Sequence, residues 1–330
     1  MLLRRKYYNT KGRYTSSKPV IVVGNLCLGG SGKTPHVEYL IRMLSDKYSL
    51  ATMSRGYGRR TKGFLLANSL STVYDLGDEP LSYYKKYPAI TVSVCEDRVK
   101  GIKTLLEKLP DTDVIIMDDA YQHLPLKAGL SILLTDYYNI YPKDKVFPAG
   151  KLRESKSAAN EADIIVITKT PKVMTRLDEE FLVEQINPLP HQKVYFSYIE
   201  FGQLIPLTPV AAEIPLSTIK SIVSLTGIAN PYPLTEYLSV YFEKQHIICS
   251  DHHIFTPKDI AQVKSALDKL LTYNKAVITT EKDAVRLMST ELYEQIKDLP
   301  LFYLPIEVRM HAKYKEKFEN QILEYVRGHK

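Results

Sequence analysis

The stretch "VIVVGNLCLGGSGKTPH", Val20–His36, runs from an unbroken apolar segment into a glycine-rich turn, a lysine and a threonine. A continuous apolar run of this length fits a strand covered on both faces. Pro35 fits the first turn of a following helix, where its missing N–H costs nothing. Strand, glycine turn and helix form the setting of a phosphate-binding loop, G-x-x-x-x-G-K-[ST]. One position departs from it: Cys27 stands where the first glycine belongs. The rest of the chemistry is intact. Gly29, Gly30 and Gly32 let the backbone turn tightly and point N–H groups at an anion. Lys33 is placed to reach the β- and γ-phosphates, and the Thr34 hydroxyl to hold Mg²⁺. The helix dipole adds positive potential at the same spot. Cys27, Leu28, Gly29, Gly30, Ser31, Gly32, Lys33 and Thr34 are therefore the expected nucleotide loop.

Outward from this loop, strand-like runs alternate with helical patterns. Strands are expected at Val20–Gly24, Leu50–Met53, Ile90–Val94, Val114–Met117, Leu130–Leu134, Ile164–Thr168 and Lys193–Ser197, with helices at Pro35–Lys47, Val99–Leu109 and Leu177–Ile186. Such alternation implies an α/β fold with a mainly parallel, doubly wound sheet. Around Phe201–Pro215 the prolines multiply and the helical period is lost, so a linker is expected there. A smaller α/β unit follows, with strands at Ile222–Leu225, Gln245–Cys249, Ala276–Thr279 and Phe302–Leu304. Thr256-Pro257-Lys258-Asp259 and Thr280-Glu281-Lys282-Asp283 read as capped helix starts, and Ala312–Val326 as a final amphipathic helix. The expected domains are a P-loop nucleotide-binding domain over 1–200, a linker over 201–215 and a C-terminal α/β domain over 216–330.

The composition is that of a soluble globular protein, with 45% apolar and 25% charged residues in 330. No run reaches the ~18 apolar residues of a membrane span. The basic, polar start "MLLRRKYYNTKGRYTSSK" has no apolar core of a secretory signal, so a cytosolic location is expected. Cys27, Cys95 and Cys249 are widely spaced, which argues against a disulfide framework or a zinc knuckle. The net charge of +7 points to an anionic partner. Its basic clusters are Arg4, Arg5, Lys6, Lys11, Arg13 and Lys18, then Arg55, Arg59, Arg60 and Lys62.

Several polar segments carry further chemistry. "VIIMDDAYQH" ends a buried strand with Asp118 and Asp119. Adjacent carboxylates at a strand tip repel unless a cation sits nearby, so Mg²⁺ is expected there. "YDLGDEP" presents Asp78 and Glu79 in a rigid loop, as general base or metal ligand, or simply as a turn. "FPAGKLRE" supplies Arg153 and Glu154, for a transferring phosphate or for a surface ion pair. "CSDHHIFTP" holds Asp251, His252 and His253, where structural histidines and a histidine tuning a carboxylate both fit. "IVITKTP" is like the N-K-x-D base-reading turn of GTPases, but Thr168 replaces the asparagine and Pro171 the acid. Adenine is therefore expected over guanine.

In order and spacing, "VVGNLCLGGSGKTPH", "SRGYGRR", "GDEP", "DDAYQH", "PAGKLRE", "VITKTP", "LTGIANP", "SDHHIFTPKDI" and "TTEKDAVRL" resemble the tetraacyldisaccharide 4'-kinase family of Gram-negative bacteria. A non-glycine at position 27 is the family's own form. The resemblance implies Mg²⁺-dependent transfer of the γ-phosphoryl group of ATP to the 4'-hydroxyl of a tetraacylated glucosamine disaccharide 1-phosphate. The product is the lipid A precursor lipid IV-A. It implies Asp78 as the base, paired with His252 rather than His253, and Asp118 and Asp119 near Mg²⁺. It places Arg153 and Glu154 in a loop closing on the site, and it implies closure about the linker between Asp78 and His252. The segments near 54–60 and 1–18, with Arg55 and Arg59, are expected to meet the acceptor's phosphate and the lipid interface. The resemblance also implies peripheral attachment to the cytoplasmic face of the inner membrane. Family members carry an apolar or amphipathic N-terminal segment where this chain has a basic one, which binds anionic lipid by charge or follows an anchor upstream. Ser155 and Lys151 depart from the family's "LREP" pattern with no expected effect on chemistry.

The rival reading is a P-loop ATPase or GTPase switch, or a metallochaperone. Those proteins usually carry a lysine before the double glycine, where this chain has Leu28. Nucleic acid is not an expected partner, because no aromatic RNA-binding signature or basic helix is present.

Overall fold

The computed structural model describes residues 7, 8, 10–241, 243–251, 253–288 and 290–329. The chain forms two compact units, Met1–Glu200 with Val308–Lys330, and Phe201–Glu307.

In the first unit the strands are β1 (Val20–Asn25), β2 (Leu50–Ser54), β3 (Leu65–Leu66), β4 (Thr91–Val94), β5 (Val114–Asp118), β6 (Leu130–Asp136), β7 (Ile164–Thr168) and β8 (Lys193–Phe201). They lie in the order β8-β7-β6-β1-β5-β2-β4-β3, with Ile306–Met310 added beside β8. All pairings from β8 to β4 are parallel, and β3 closes the far edge antiparallel. The apolar runs are unbroken because both faces are covered. Val20, Val22, Ile115, Met117, Ile165 and Ile167 belong to one apolar cluster. Their neighbours Ile21, Val23, Val114, Ile116, Ile164 and Val166 belong to another. This is the two-residue period of a strand, seen from both sides.

Helices close each face. Ile102 and Leu105 of Arg98–Lys108, with Leu182 and Ile186 of Arg176–Ile186, cover the first cluster. Val37, Leu40, Ile41 and Leu44 of helix α1 (Lys33–Leu44) cover the second. The C-terminal helix Ala312–Arg327 covers the same face with Phe318, Ile322 and Val326. Each of these side chains contributes about 1.5–3 kcal/mol on burial. Tyr39 Oη donates to Glu319 at 2.6 Å, and Tyr325 Oη accepts from the Val20 amide at 3.0 Å. The expected division therefore changes at its end. Residues 308–330 belong with the nucleotide-binding unit, because an i, i+4, i+8 apolar stripe fills the sheet face that α1 leaves bare.

The second unit has its own sheet, with β9 (Ile205–Pro206), β10 (Ser221–Thr226), β11 (Glu243–Ile248), β12 (Lys275–Thr280) and β13 (Leu301–Leu304) in the order β11-β10-β12-β13-β9. The expected linker 201–215 is built into this unit. Ile205–Pro206 pairs antiparallel with β13, an edge position where proline's missing donor is tolerated. Thr208 caps the short helix Pro209–Ala212 and donates to the Leu299 carbonyl at 2.6 Å. The two expected capped helices form as Pro257–Lys269 and Glu281–Leu287.

Candidate active site

The phosphate loop joins β1 to α1. Gly29 and Gly32 take φ of 102° and 83°, and Gly32 ends the loop at the helix start. The first half of the loop is not a free turn. The Leu28 amide donates to the Lys151 carbonyl at 2.7 Å, and the Arg153 amide to the Leu26 carbonyl at 2.7 Å. Cys27 bridges Leu152 antiparallel. This extended backbone is open to any residue, so no glycine is needed at position 27. Burial pushes the Cys27 thiol up to about 11, so it stands as a neutral packing group.

Two residues brace the second half, in roles that no sequence pattern announces. Thr168 Oγ1 donates to the Ser31 carbonyl at 3.0 Å. Lys169 Nζ donates to the Gly30 carbonyl at 2.5 Å and to Asp136 at 2.7 Å. The turn compared above with a base reader is thus a buttress of the loop. His36 anchors the helix start, with Nδ1 2.7 Å from the Gly32 carbonyl and Nε2 2.9 Å from Ser197 Oγ.

Charged groups converge at the mouth of α1. Lys33 Nζ lies 3.4 Å from Asn25 Oδ1 and 3.7 Å from Asp119. Arg153 Nη1 donates to both oxygens of Asp119, at 3.1 and 3.0 Å. Burial alone would raise the Asp119 carboxyl, but Lys33, Arg153 and Arg98 outweigh it and hold the group below its usual range. Asp119 takes φ of 50°, a left-handed conformation that aspartate tolerates better than most residues. Asp118 is the opposite case. It is buried, Tyr83 Oη donates to its Oδ2 at 2.9 Å, and its Oδ1 meets no hydrogen-bond partner among the described residues. Burial, then Glu79 and Asp119, push it up to about 7.

Asp78 and Glu79 open the helix Asp78–Lys86. Asp78 is buried, and its Oδ1 accepts from the Glu79 amide at 3.0 Å. Glu79 accepts from Thr34 Oγ1 at 3.3 Å, which joins this helix to the phosphate loop. Glu154 is buried and accepts from Gln122 Nε2 at 3.2 Å, and the same amide donates to the Asn25 carbonyl at 2.8 Å. Glu154 thus anchors the 151–154 segment behind Arg153.

The basic cluster at 55–62 divides. Arg55 is exposed. Arg59 has a buried side chain, donating to Glu96 at 2.5 Å and to the Gly63 carbonyl at 2.7 Å. Its guanidinium is thus held within this turn rather than free at the surface. In the N-terminal cluster, Arg13 pairs with both oxygens of Glu161 at 2.7 and 2.9 Å. Arg4, Arg5 and Lys6 lie outside the described residues.

In the second unit, His253 Nε2 lies 3.0 Å from Asp259, the acid of the Thr256 capping box. His252 lies outside the described residues. Among the described residues no helix is long and apolar enough to cross a membrane.

Comparison with known proteins agrees with this geometry. The sequence model of the family described as LpxK, tetraacyldisaccharide-1-P 4'-kinase, matches residues 1–327. A tetraacyldisaccharide 4'-kinase of Bacteroides thetaiotaomicron is 42% identical over 322 residues, 94% of this chain and 84% of the relative. One from Phocaeicola vulgatus is 41% identical over 98% of this chain and 91% of its own. Among solved structures, an apo form of LpxK from Aquifex aeolicus in complex with ATP matches with a TM-score of 0.71 at 27% identity, covering 98% of this chain and 94% of that one. The chain therefore belongs to the tetraacyldisaccharide 4'-kinase family.

Proposed function

We propose that the kinase reaction of this family, which serves lipid A biosynthesis, is carried out in this chain at the mouth of α1. The donor is ATP, and the acceptor is the 4'-hydroxyl of a tetraacylated glucosamine disaccharide 1-phosphate. One observation carries the reading: Lys33, Asp119 and Arg153 are tied to one another where a glycine turn opens a helix, and Thr34 of the same turn is bonded to Glu79. The loop amides and Lys33 bind the β- and γ-phosphates. Arg153, held by Asp119, meets charge growing on the phosphoryl oxygens.

The residues fit Mg²⁺. Asp118 keeps a buried oxygen without a hydrogen-bond partner among the described residues, and burial with the neighbouring Glu79 and Asp119 raises its pKa despite Lys33, the balance a cation would reverse. Thr34 donates its proton to Glu79, which leaves its lone pairs for a cation. Thr34 and Asp118 would hold the ion, with Asp119 and Glu79 beside them; this hard oxygen set suits Mg²⁺. When bound, Mg²⁺ neutralises phosphate charge.

Asp78 takes the proton of the attacking hydroxyl. It stands at the first turn of the helix that Glu79 joins to the phosphate loop. His252 is its proposed partner. The engagement of His253 with Asp259 supports that choice. The exposed Arg55, close enough to Arg98 to lower the latter's pKa after burial has done so, is proposed to meet the acceptor. Attachment to the inner membrane as a peripheral protein follows from the acceptor's acyl chains.

The test is mass spectrometry of the disaccharide after incubation with Mg-ATP. A gain of one phosphoryl group is expected, lost in Lys33→Ala. Asp78→Ala should lower kcat by about 10²–10⁴-fold with the ATP KM little changed. A large loss of ATP affinity would make Asp78 a nucleotide ligand instead.

A further inference from the structure

The second unit holds a cluster that the kinase reaction does not use. Cys249 follows β11, His253 lies in the next loop, and Asp259 is the third residue of the helix Pro257–Lys269. One ligand atom from each lies within 4.8 Å of the other two. We propose that Cys249, His253 and Asp259 form a binding site for Zn²⁺, with the fourth position left to solvent.

The donor set decides the cation. A thiol and an imidazole are poor ligands for Mg²⁺ and good ones for Zn²⁺, and one carboxylate is common beside them. The spacing is close to what the ion requires. Bonds of about 2.0–2.1 Å in a tetrahedron place neighbouring nitrogen and oxygen ligands about 3.3 Å apart. His253 Nε2 and Asp259 Oδ2 lie 3.0 Å apart, so they separate by a few tenths of an ångström.

The frame around the ligands is fixed. Thr256 donates to Asp259 Oδ2 from its amide at 2.8 Å and its hydroxyl at 2.7 Å, orienting the carboxylate as supporting contacts do in metal sites. The Cys249 amide is pinned to the Thr226 carbonyl at 2.7 Å. The His253 ring meets Phe255 edge-on at 5.3 Å, and its carbonyl accepts from Arg286 at 3.3 Å. A Cβ on Gly227 would lie 3.2 Å from that of His253, so the close approach uses a glycine. Burial, then Asp259 and Asp283, raise the Cys249 thiol. A bound cation turns Asp259 from an opponent of the thiolate into its co-ligand.

The test uses the full, untagged chain with Mg²⁺ in excess and Co²⁺ as the probe. One equivalent of Co²⁺ should produce a thiolate-to-metal band in the near ultraviolet and the strong visible bands of four-coordination, and Zn²⁺ should remove both. Cys249→Ser should abolish the near-ultraviolet band and weaken Co²⁺ by more than the about 10–100-fold that loss of a supporting contact costs. His253→Gln should weaken Co²⁺ likewise, and Cys27→Ser should leave the spectrum as it was. Absence of the band in the parent chain, or its survival in Cys249→Ser, overturns the proposal.

Discussion

Arg153 bridges both carboxylate oxygens of Asp119 through a single guanidinium nitrogen, at 3.1 and 3.0 Å. Lys33 stands 3.7 Å from the same carboxylate. Asp119 thus holds two cations in place, while its neighbour Asp118 has none within ion-pair distance among the described residues. Arg153→Ala should lower kcat by about 10²–10³-fold, the loss expected when one preorganised charge leaves a transition state. Arg153→Lys should recover part of it. Steady-state kinetics decide: a rise in ATP KM with kcat intact would place Arg153 in ground-state binding only.

His36 links the phosphate loop to acid stability. Burial, and to a lesser degree Lys169, lowers its pKa from 6.5 to about 4, against the Gly32 carbonyl, which raises it. It is neutral in the folded protein and takes up a proton on unfolding at mild acid. The unfolded chain therefore binds more protons between pH 6.5 and about 4, and stability falls as pH falls through that window. The contribution is at most about 3 kcal/mol. His36→Gln should flatten this limb, so that its melting temperature approaches the parent's as pH drops. A constant gap across the window would mean that His36 titrates normally in the fold.

What the sequence discloses, and what it hides, follows from the range of the interactions. The strands of the large sheet are legible because burial on both faces leaves unbroken apolar runs, and the caps at Thr256 and Thr280 because they are local. The home of the C-terminal helix is hidden, since nothing near residue 320 names the sheet it will cover. The burial of Arg59 is hidden for a related reason. Nothing in a basic run tells that this side chain is enclosed where two glycine turns press together. A Cβ on Gly56 would lie 2.7 Å from the Leu76 carbonyl, and one on Gly77 2.7 Å from the Tyr57 carbonyl. Lys33, Asp118, Asp119 and Arg153 announce their chemistry by residue type and motif. Which of the two acids meets the arginine depends on backbone direction at Asp119, at φ of 50°, and sequence carries little trace of that.

Cys27→Gly restores the standard phosphate-loop pattern and should gain nothing by it. Backbone bonds around positions 26–28 to Lys151 and Arg153 already fix this half of the loop, and the Cys27 side chain packs on the core. Glycine there should cost about 0.5–1 kcal/mol through the freer unfolded chain. The expected result is a slightly lower melting temperature with an unchanged ATP KM. Tighter ATP binding would mean that Cys27 holds the loop away from its best shape.

Lys169 should act on ATP binding through the loop rather than by touching the nucleotide's reacting end. Its ammonium is committed to the Gly30 carbonyl and to Asp136, and its backbone holds φ of 58° to reach them. Gly30 sits between the two glycines with positive φ, so freeing its carbonyl lets the amide cradle relax before ATP arrives. Lys169→Met keeps most of the length of the side chain and removes both bonds. Losing hydrogen bonds to a charged group costs roughly 1.5–3 kcal/mol, which predicts an ATP KM raised about tenfold or more. The phosphoryl step is still served by Lys33 and Arg153, so kcat should fall less than KM rises. Asp136→Asn should shift KM in the same direction and by less, because the bond to Gly30 survives it. If Lys169→Met lowered kcat with KM unchanged, the ammonium would have to leave the loop and meet charge in the transition state, and the buttress role would be wrong.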